Sequence, residues 1–413
     1  MILAAFANMD KEPNWQLHAI LRDLRMRRNS AGKRNIMAQK FQRKPLKEDT
    51  SRPGAGKLCP VAKKCGGCQW IDRSYEEQLE AKSTRFRKLM EPYGRPEPMI
   101  AMEEPAHYRN KVHAAFGEDR RHNIISGIYE EKSHRIVPVD SCLLENRKAD
   151  EIIVSIRGLL RSFKIRPYNE DTGYGLLRHV LVRTGHATGQ IMVVLVLASP
   201  IMPSKNNFVR ALLKLHPEIT TVVVNVNDRN TSMVLGEKEQ VIFGKSYIED
   251  ELCGKGFRIS PRSFYQVNPV QTEKLYQKAM EYACLTGKET VLDAYCGIGT
   301  IGMIASDHAG KVLGVELNKD AVRDARNNAK ANHISNIEFY QNDAGKFMLD
   351  LAEQGCKLDV LFMDPPRSGS NEAFLSAVCR IKPGRVVYIS CDPETLSRDL
   401  KYLTKHGYGV EKS

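Results

Sequence analysis

Cys391 stands in Val387-Tyr388-Ile389-Ser390-Cys391-Asp392-Pro393, directly after an apolar, strand-like run. Twenty-seven residues earlier, Asp364-Pro365-Pro366-Arg367 closes a second run of the same kind. Further upstream, Asp293-Ala294-Tyr295-Cys296-Gly297-Ile298-Gly299-Thr300-Ile301-Gly302 reads as a strand, a glycine loop and the start of a helix. If the three runs are strands of one sheet, a nucleotide-type pocket, a polar turn and a loop cysteine meet at one edge. A uracil ring is too electron-poor at carbon 5 to attack an electrophilic methyl group unaided. A thiolate adding at carbon 6 makes carbon 5 nucleophilic and splits one hard step into two. The constellation therefore suits covalent methyl transfer to a pyrimidine with Cys391 as nucleophile. A free cysteine on its own is more often a small buried hydrophobe; Ser390, Asp392, Pro393 and the ligand loop upstream tip the balance. Arg398, or a helix opening at Pro393-Glu394-Thr395, is expected to lower the thiol's pKa.

The spacing Gly297-x-Gly299-x-x-Gly302 lets backbone approach a ligand, and a helix N-terminus offers free N–H groups. Glu316 ends the next strand nineteen residues after Gly297, where a carboxylate can accept both ribose hydroxyls. On these residues alone a nicotinamide dinucleotide fits about as well as S-adenosylmethionine. In Asp364-Pro365-Pro366 two prolines fix an extended turn and remove two N–H donors. Adenine-amino methyltransferases follow a related turn with an aromatic residue; here Arg367 follows, a cation suited to a uracil carbonyl or a phosphate. Phe264-Tyr265-Gln266-Val267-Asn268-Pro269 reads as a strand end and a helix cap, from which Gln266 could reach the ligand.

Of ten cysteines, three cluster as Cys59-x5-Cys65-x2-Cys68, and Cys142 lies far downstream. Three thiolates within ten residues and one remote thiolate can hold a 4Fe-4S cluster or zinc, and spacing does not separate the two. Gly66 and Gly67 supply the tight loop. Cys253, Cys284, Cys296, Cys356 and Cys379 lie in or beside expected core elements and read as inert.

These residues need elements to position them. From 264 onward, continuous apolar runs at Thr290–Ala294, Lys311–Glu316, Ile337–Gln341, Leu358–Met363 and Arg385–Ser390 alternate with helical segments. Strands buried on both faces with helical crossovers make a parallel, doubly wound α/β sheet. Between about 108 and 255, short β-branched runs with helices at Asn146–Phe163 and Asn206–Leu215 make an α+β unit. The expected division is a basic disordered arm at 1–58, a cysteine segment with a helix at 59–105, a central α+β domain at 106–255 and a Rossmann-like domain at 256–413. Trp15–Arg28 is expected as a short basic helix and Arg43–Gly56 as a linker. Net charge is +13, and residues 1–64 carry 15 Lys and Arg against 5 Asp and Glu. Such an arm attracts phosphate backbones. The longest apolar stretch, Ile191–Met202, is too short to span a membrane, and the N-terminus lacks a basic region before its apolar run, so the expected compartment is the cytoplasm.

Taken together, the residues resemble the RNA 5-methyluridine methyltransferases, in the iron–sulfur branch that acts on 23S ribosomal RNA. The likeness runs over roughly 59 to 410. It rests on the C-x5-C-G-G-C cluster with Tyr75-x-x-Gln78-Leu79-x-x-Lys82, on Tyr108-Arg109-Asn110-Lys111, on Ser133-His134 leading to Cys142, and on Leu177-Arg178-His179. It rests equally on Phe264-x-Gln266-x-Asn268, Asp293-x-x-Cys296-Gly297-x-Gly299, Asp364-Pro365-Pro366-Arg367 and Ser390-Cys391-Asp392-Pro393. The resemblance implies a Rossmann-like S-adenosylmethionine-dependent methyltransferase domain preceded by an α+β domain carrying an iron–sulfur site. It implies a 4Fe-4S cluster at Cys59, Cys65, Cys68 and Cys142, structural or RNA-contacting in role. It implies S-adenosylmethionine contacts from Gln266, Tyr295, Glu316 and Asp364, with Asp343 near the adenine, and Cys391 as nucleophile. The partner implied is 23S ribosomal RNA, since the tRNA-modifying relatives lack the cluster; no obligate protein partner is evident, and a tRNA uridine remains the alternative substrate. Many relatives begin with a small β-barrel, for which residues 1–58 lack the strand pattern. Relatives also continue past the equivalent of Ser413 into last strands that carry a proton-abstracting glutamate, and no residue here matches it. The expectation is therefore a sheet without its final hairpin, with a catalytically impaired RNA-binding protein as a further alternative. A nicotinamide oxidoreductase with an iron–sulfur centre leaves Asp364-Pro365-Pro366 and Cys391 unexplained.

Overall fold

The computed structural model describes residues 2–8, 59–229 and 233–413. The helix expected at 15–28 and the linker at 43–56 lie outside them.

The chain's first seven described residues form strand β1 (Ile2–Asn8), and a capped helix α1 (Tyr75–Met90) follows the cysteine segment. Ser74 and Glu77 close that helix start reciprocally, side chain to backbone in both directions. The β-branched runs of the central unit become β2 (Lys111–Glu118), β3 (Ile124–Tyr129), β4 (Ile136–Pro138), β5 (Leu177–Thr184), β6 (Ile191–Leu197), β7 (Ile219–Val226) and β8 (Lys238–Phe243). They pair as one sheet in the order β4-β3-β2-β5-β6-β7-β8. Helices α2 (Arg147–Ser162) and α3 (Lys205–Leu215) pack on one face, sharing a core with Val180, Val182, Val193 and Leu195. The opposite face presents Leu181, Met192, Val194, Val196 and Val223 to the core of the second domain. That double burial explains why β5 and β6 are buried along their whole length. A hairpin, β9 (Ile248–Leu252) with β10 (Lys255–Ile259), links the two domains. Its alternating charges hid it from a reading of apolar runs.

The second domain runs α4 (Pro269–Ala283), β11 (Thr290–Ala294), α5 (Thr300–Ala305), β12 (Lys311–Glu316), α6 (Lys319–Ala331), β13 (Ile337–Gln341), α7 (Ala344–Glu353), β14 (Val360–Met363), α8 (Glu372–Ile381), β15 (Arg385–Ser390), α9 (Pro393–Lys405) and β16 (Tyr408–Lys412). Strands β11 to β15 are mutually parallel, in the order β13-β12-β11-β14-β15. The order reverses between β11 and β14, the position where such sheets open a crevice for ligands.

The far edge departs from expectation. The sheet is not left without its outer strands: β1 inserts antiparallel between β15 and β16. Ile2–Asn8 is therefore part of this sheet and not of a disordered arm. The cause is local. Leu3 and Ala5 bury into one face of the sheet beside Ile389 and Val387, while Ala4 and Phe6 bury into the other beside Tyr388 and Val386. A run apolar on both sides is stable only inside a sheet, and the strong positive charge of residues 1–64 as a whole masks this short run. Phe6 is fully buried. Phe6→Ala is expected to lower the free energy of unfolding by about 3–5 kcal/mol, read by urea denaturation; a loss below about 1 kcal/mol, the usual size of a surface substitution, would remove β1 from the sheet.

Candidate active site

Three turns leave the C-terminal ends of β11, β14 and β15 side by side. The first carries Tyr295 at φ 64°, Gly297 at φ 56° and Gly299 at φ 86°. A side chain at Gly299 would come within 2.7 Å of the Phe339 ring, whereas at Gly297 the same space is open. The backbone is thus pinned to the core at one glycine and bare at the other, as a ligand-facing loop requires. Asp293, fully buried beneath it, accepts the Gly302 N–H at 2.7 Å through one oxygen. Its other oxygen is buried without a partner. Glu316 accepts from the Gly297 N–H at 3.1 Å and from the Asn318 N–H at 2.8 Å, so its carboxylate buttresses the loop from the neighbouring strand.

The electrostatics of this crevice separate the two nucleotide readings. Burial, with the charges of Asp364 and Glu316 adding to it, pushes Asp293 up to about 8. Burial pushes Asp364 up to about 7. A positively charged ligand at this loop would favour the ionised forms of Asp293 and Asp364 and offset the cost of their burial, whereas an anionic pyrophosphate would add to that cost. S-adenosylmethionine, a sulfonium carrying an ammonium group, fits this donor set; a nicotinamide dinucleotide does not.

The remaining residues expected at the cofactor distribute around the loop. Gln266 is half-buried before α4, its carbonyl accepting from Asn110 Nδ2 at 3.2 Å, which ties it to the central sheet. Asn268 caps α4 by accepting from Gln271 N–H at 3.1 Å. Tyr295 is half-buried, its ring 5.4 Å from that of Phe374. Asp343 is exposed and caps α7, accepting from Lys346 N–H at 3.0 Å; its charge reaches Tyr295, on the near side of the loop. Tyr276 and Thr300 were not legible as site residues. The Tyr276 hydroxyl lies 3.4 Å from Thr300 Oγ1 and beside Gln266, and burial, then the Asp364 charge, holds its pKa far above the ordinary range. The only signal was a tyrosine on the core-facing side of α4.

At the second and third turns, Met363 of β14 pairs with Tyr388 of β15. Asp364 and Cys391 therefore emerge from adjacent strand ends. Pro365 is buried, while Pro366 and Arg367 are exposed. The Cys391 thiol is exposed, whereas Ser390 before it is buried. Ser390 Oγ donates to the Asp392 carbonyl at 2.9 Å and accepts from the Asp392 N–H at 3.2 Å, bracing the cysteine from below. Asp392 caps α9, accepting from Glu394 N–H at 3.0 Å and Thr395 N–H at 3.1 Å. Arg398 does not serve the thiol: it donates to Asp399 and to the carbonyls of Ser368 and Ser370. Cys296, in the glycine loop itself, is buried, and burial holds its pKa well above the ordinary thiol value.

Cys59, Cys65, Cys68 and Cys142 line one cavity between the cysteine segment and the central domain, with Arg109 and Glu145 in its wall. Backbone N–H groups of Gly67 and Leu144 point at the sulfurs of Cys65 and Cys142, at 3.4 and 3.5 Å. Burial, then the neighbouring Cys65 and Cys59, raises the Cys68 thiol, and burial raises Cys142 to about 11. Among the described residues, no three His, Cys, Asp or Glu side chains are gathered tightly enough to hold a single metal ion. Cys284 and Cys356 are exposed, Cys284 at the C-terminal cap of α4 and Cys356 in the loop after α7, beside core elements and not within them. Among the described residues no helix is long and apolar enough to cross a membrane.

The family model described as tRNA (uracil-5-)-methyltransferase matches residues 74–412. An uncharacterized RNA methyltransferase of Halalkalibacterium halodurans is 43% identical over 355 residues, covering 85% of this chain and 77% of its own. One from Caldanaerobacter subterraneus is 42% identical over 355 residues, covering 85% and 78%. Among solved structures, the Pyrococcus abyssi tRNA (uracil-54, C5)-methyltransferase in complex with S-adenosyl-L-homocysteine is similar at a TM-score of 0.68 and 28% identity, covering 82% of this chain and 79% of its own.

The raised carboxyl of Asp293 gives a pH test. Its folded value, about 8, lies above the ordinary aspartate value, so the folded state holds a proton that the unfolded state has released. Stability is fully present below about pH 4 and falls as pH rises toward about 8. Asp293→Asn can keep the bond to Gly302 and removes the titration. The variant should gain stability relative to the parent between pH 4.5 and 8.5 in urea denaturation; a constant difference across that range would contradict the buried, charge-crowded aspartate.

Proposed function

Since the chain belongs to the tRNA (uracil-5-)-methyltransferase family, whose members are S-adenosylmethionine-dependent RNA methyltransferases, we propose that it methylates carbon 5 of a uridine in 23S ribosomal RNA through a covalent bond to Cys391. The observation that carries the reading is the exposed thiol on a braced turn beside the Asp364 strand end and the glycine loop. S-adenosylmethionine, when bound, supplies an electrophilic methyl group. Gln266, Tyr295, Glu316 and Asp364 would hold it, with Asp343 toward the adenine. The glycine loop, open at Gly297, would give it close backbone contact, and the acidic groups of the crevice would favour its positive charge. Cys391 as thiolate adds to carbon 6 of the uracil, and the resulting enolate directs its electron density to carbon 5. After transfer, loss of the carbon-5 proton to a base expels the thiolate and restores the ring. Arg367, exposed on the turn after β14, would meet a uracil carbonyl or a flanking phosphate.

The choice of ribosomal RNA rests on the cysteine cavity. Four thiols lining one cavity, with backbone N–H groups aimed at two of the sulfurs, suit a 4Fe-4S cluster, which is larger than a single ion. Cys59, Cys65, Cys68 and Cys142 would hold it, fastening the cysteine segment to the central domain, and the resemblance ties such a cluster to the ribosomal branch. The reading places this chemistry in the cytoplasm, where thiols stay reduced. A tRNA substrate is the second reading, favoured by the Pyrococcus protein, which is a tRNA (uracil-54, C5)-methyltransferase.

Methyl transfer to uridine-containing 23S fragments and to tRNA transcripts, with release followed, separates these readings. Preference for tRNA would overturn the ribosomal assignment, and a Cys391-linked RNA adduct that never turns over would mark a protein that binds and traps RNA. Cys391→Ala is expected to abolish transfer and adduct while leaving cofactor affinity unchanged. Loss of cofactor binding would instead make Cys391 a packing residue. Cys65→Ser should bleach the brown absorbance of the purified protein and lower its iron content; an unchanged colourless protein containing zinc would remove the iron–sulfur assignment.

A further inference from the structure

We propose that Asp399 and Arg398 are positioning residues for methyl transfer: they clamp the loop leaving β14 onto the helix that follows Cys391. The inference rests on Cys391 being the nucleophile.

Strand pairing alone does not fix the two turns. The β14–β15 ladder ends at Met363 with Tyr388. Beyond it, Pro365 and Pro366 have no N–H to offer, so the loop to Asn371 needs another anchor. Asp399 lies about two turns into α9 and is completely buried. It accepts from the Ser370 N–H at 2.8 Å, from the Tyr388 hydroxyl at 2.7 Å and from Arg398 Nε at 2.8 Å. Arg398 in turn donates from Nη2 to the carbonyls of Ser368 at 2.9 Å and Ser370 at 3.1 Å. One carboxylate and one guanidinium thus grip the loop by its N–H and its carbonyl groups, and the carboxylate also holds the end of strand β15 through Tyr388. The fit is close. Gly369 sits at φ 73°, and a side chain there would stand 2.5 Å from Arg398 Nη2 and 2.7 Å from Asp399 Oδ2.

The geometry has a catalytic consequence. Asp364 and Arg367 stand on the clamped loop or at its root, and Ser370 lies close to the Tyr295 hydroxyl. Cys391 stands one residue before the cap of the helix that holds the clamp. The clamp therefore sets the distance between the attacking sulfur and the groups facing uracil and cofactor. A buried carboxylate released from its partners is costly, so the loop cannot drift without breaking all of these bonds together. Misplacement of about 1 Å is enough to slow a reaction on the order of 100-fold.

The experiment uses the full chain with Asp399→Asn and, separately, Arg398→Gln. Arg398 is about half exposed, so its variant keeps the test open if the first does not fold. Single-turnover formation of the Cys391 adduct with 5-fluorouridine RNA, S-adenosylmethionine affinity and thermal unfolding are measured together. Adduct formation should slow by roughly 100-fold in both variants, per folded molecule, while cofactor affinity stays near that of the parent. Variants that melt earlier yet form adduct at the parental rate would overturn the positioning role. A parent chain that forms no adduct would instead overturn the methyl-transfer reading itself.

Discussion

The parallel pairing of β14 with β15 is the contact on which the site depends. Side chains on a strand alternate faces, so a slip of one residue would turn every apolar group of β15 the wrong way. The register is held because Val386 and Tyr388 fill one core while Val387 and Ile389 fill the other. With both faces committed, Cys391 has one place to emerge, beside the Asp364 turn. The insertion of β1 reinforces the same strand from its other side, pairing Ile2 with Ser390 and Phe6 with Val386. The thiol is thus carried at the end of a strand bonded along both edges.

The carboxylates of the crevice are costly in the absence of a cation. Asp293 leaves one buried oxygen unpartnered, and Asp364 sits in the same low-dielectric wall. Folding does not benefit from either arrangement, and local conflict of this kind is expected where a sequence serves a ligand more than its own stability. Glu316 differs. Each of its oxygens already accepts one N–H, from Gly297 or Asn318, so it shapes the loop whether or not a ribose lies against it, and each keeps a lone pair for a hydroxyl.

The five central parallel strands were legible because continuous apolar runs between helical segments allow few other folds, and the glycine spacing located the loop. The cysteine and double-proline turns were legible as chemistry. Their adjacency followed only once the strand order was known, because spacing along the chain says nothing about which strands become neighbours. Two kinds of feature escaped. Strand β1 was hidden by the charge around it, and the hairpin β9–β10 by charges within it. Arg398 was read by proximity in sequence to Cys391, but a helix turns its side chains through 100° per residue, and this one faces the loop after Asp364. Tyr276 was invisible because a buried tyrosine in a helix is usually packing.

The ten cysteines show how environment and not residue type assigns a role. Cys391 and Cys296 lie at the same edge of the same sheet, yet one is exposed on a capped turn and the other is buried, with its thiol held protonated by burial and by the nearby Asp293 and Glu316 charges. Only the first is open to a substrate. The four thiols of the cavity sit among apolar walls, with Cys68 and Cys142 raised by burial. A thiol raised in this way is a poor nucleophile. Cys284 and Cys356 are also exposed, but of the three exposed cysteines Cys391 alone follows a strand end of the crevice, on the turn beside Asp364.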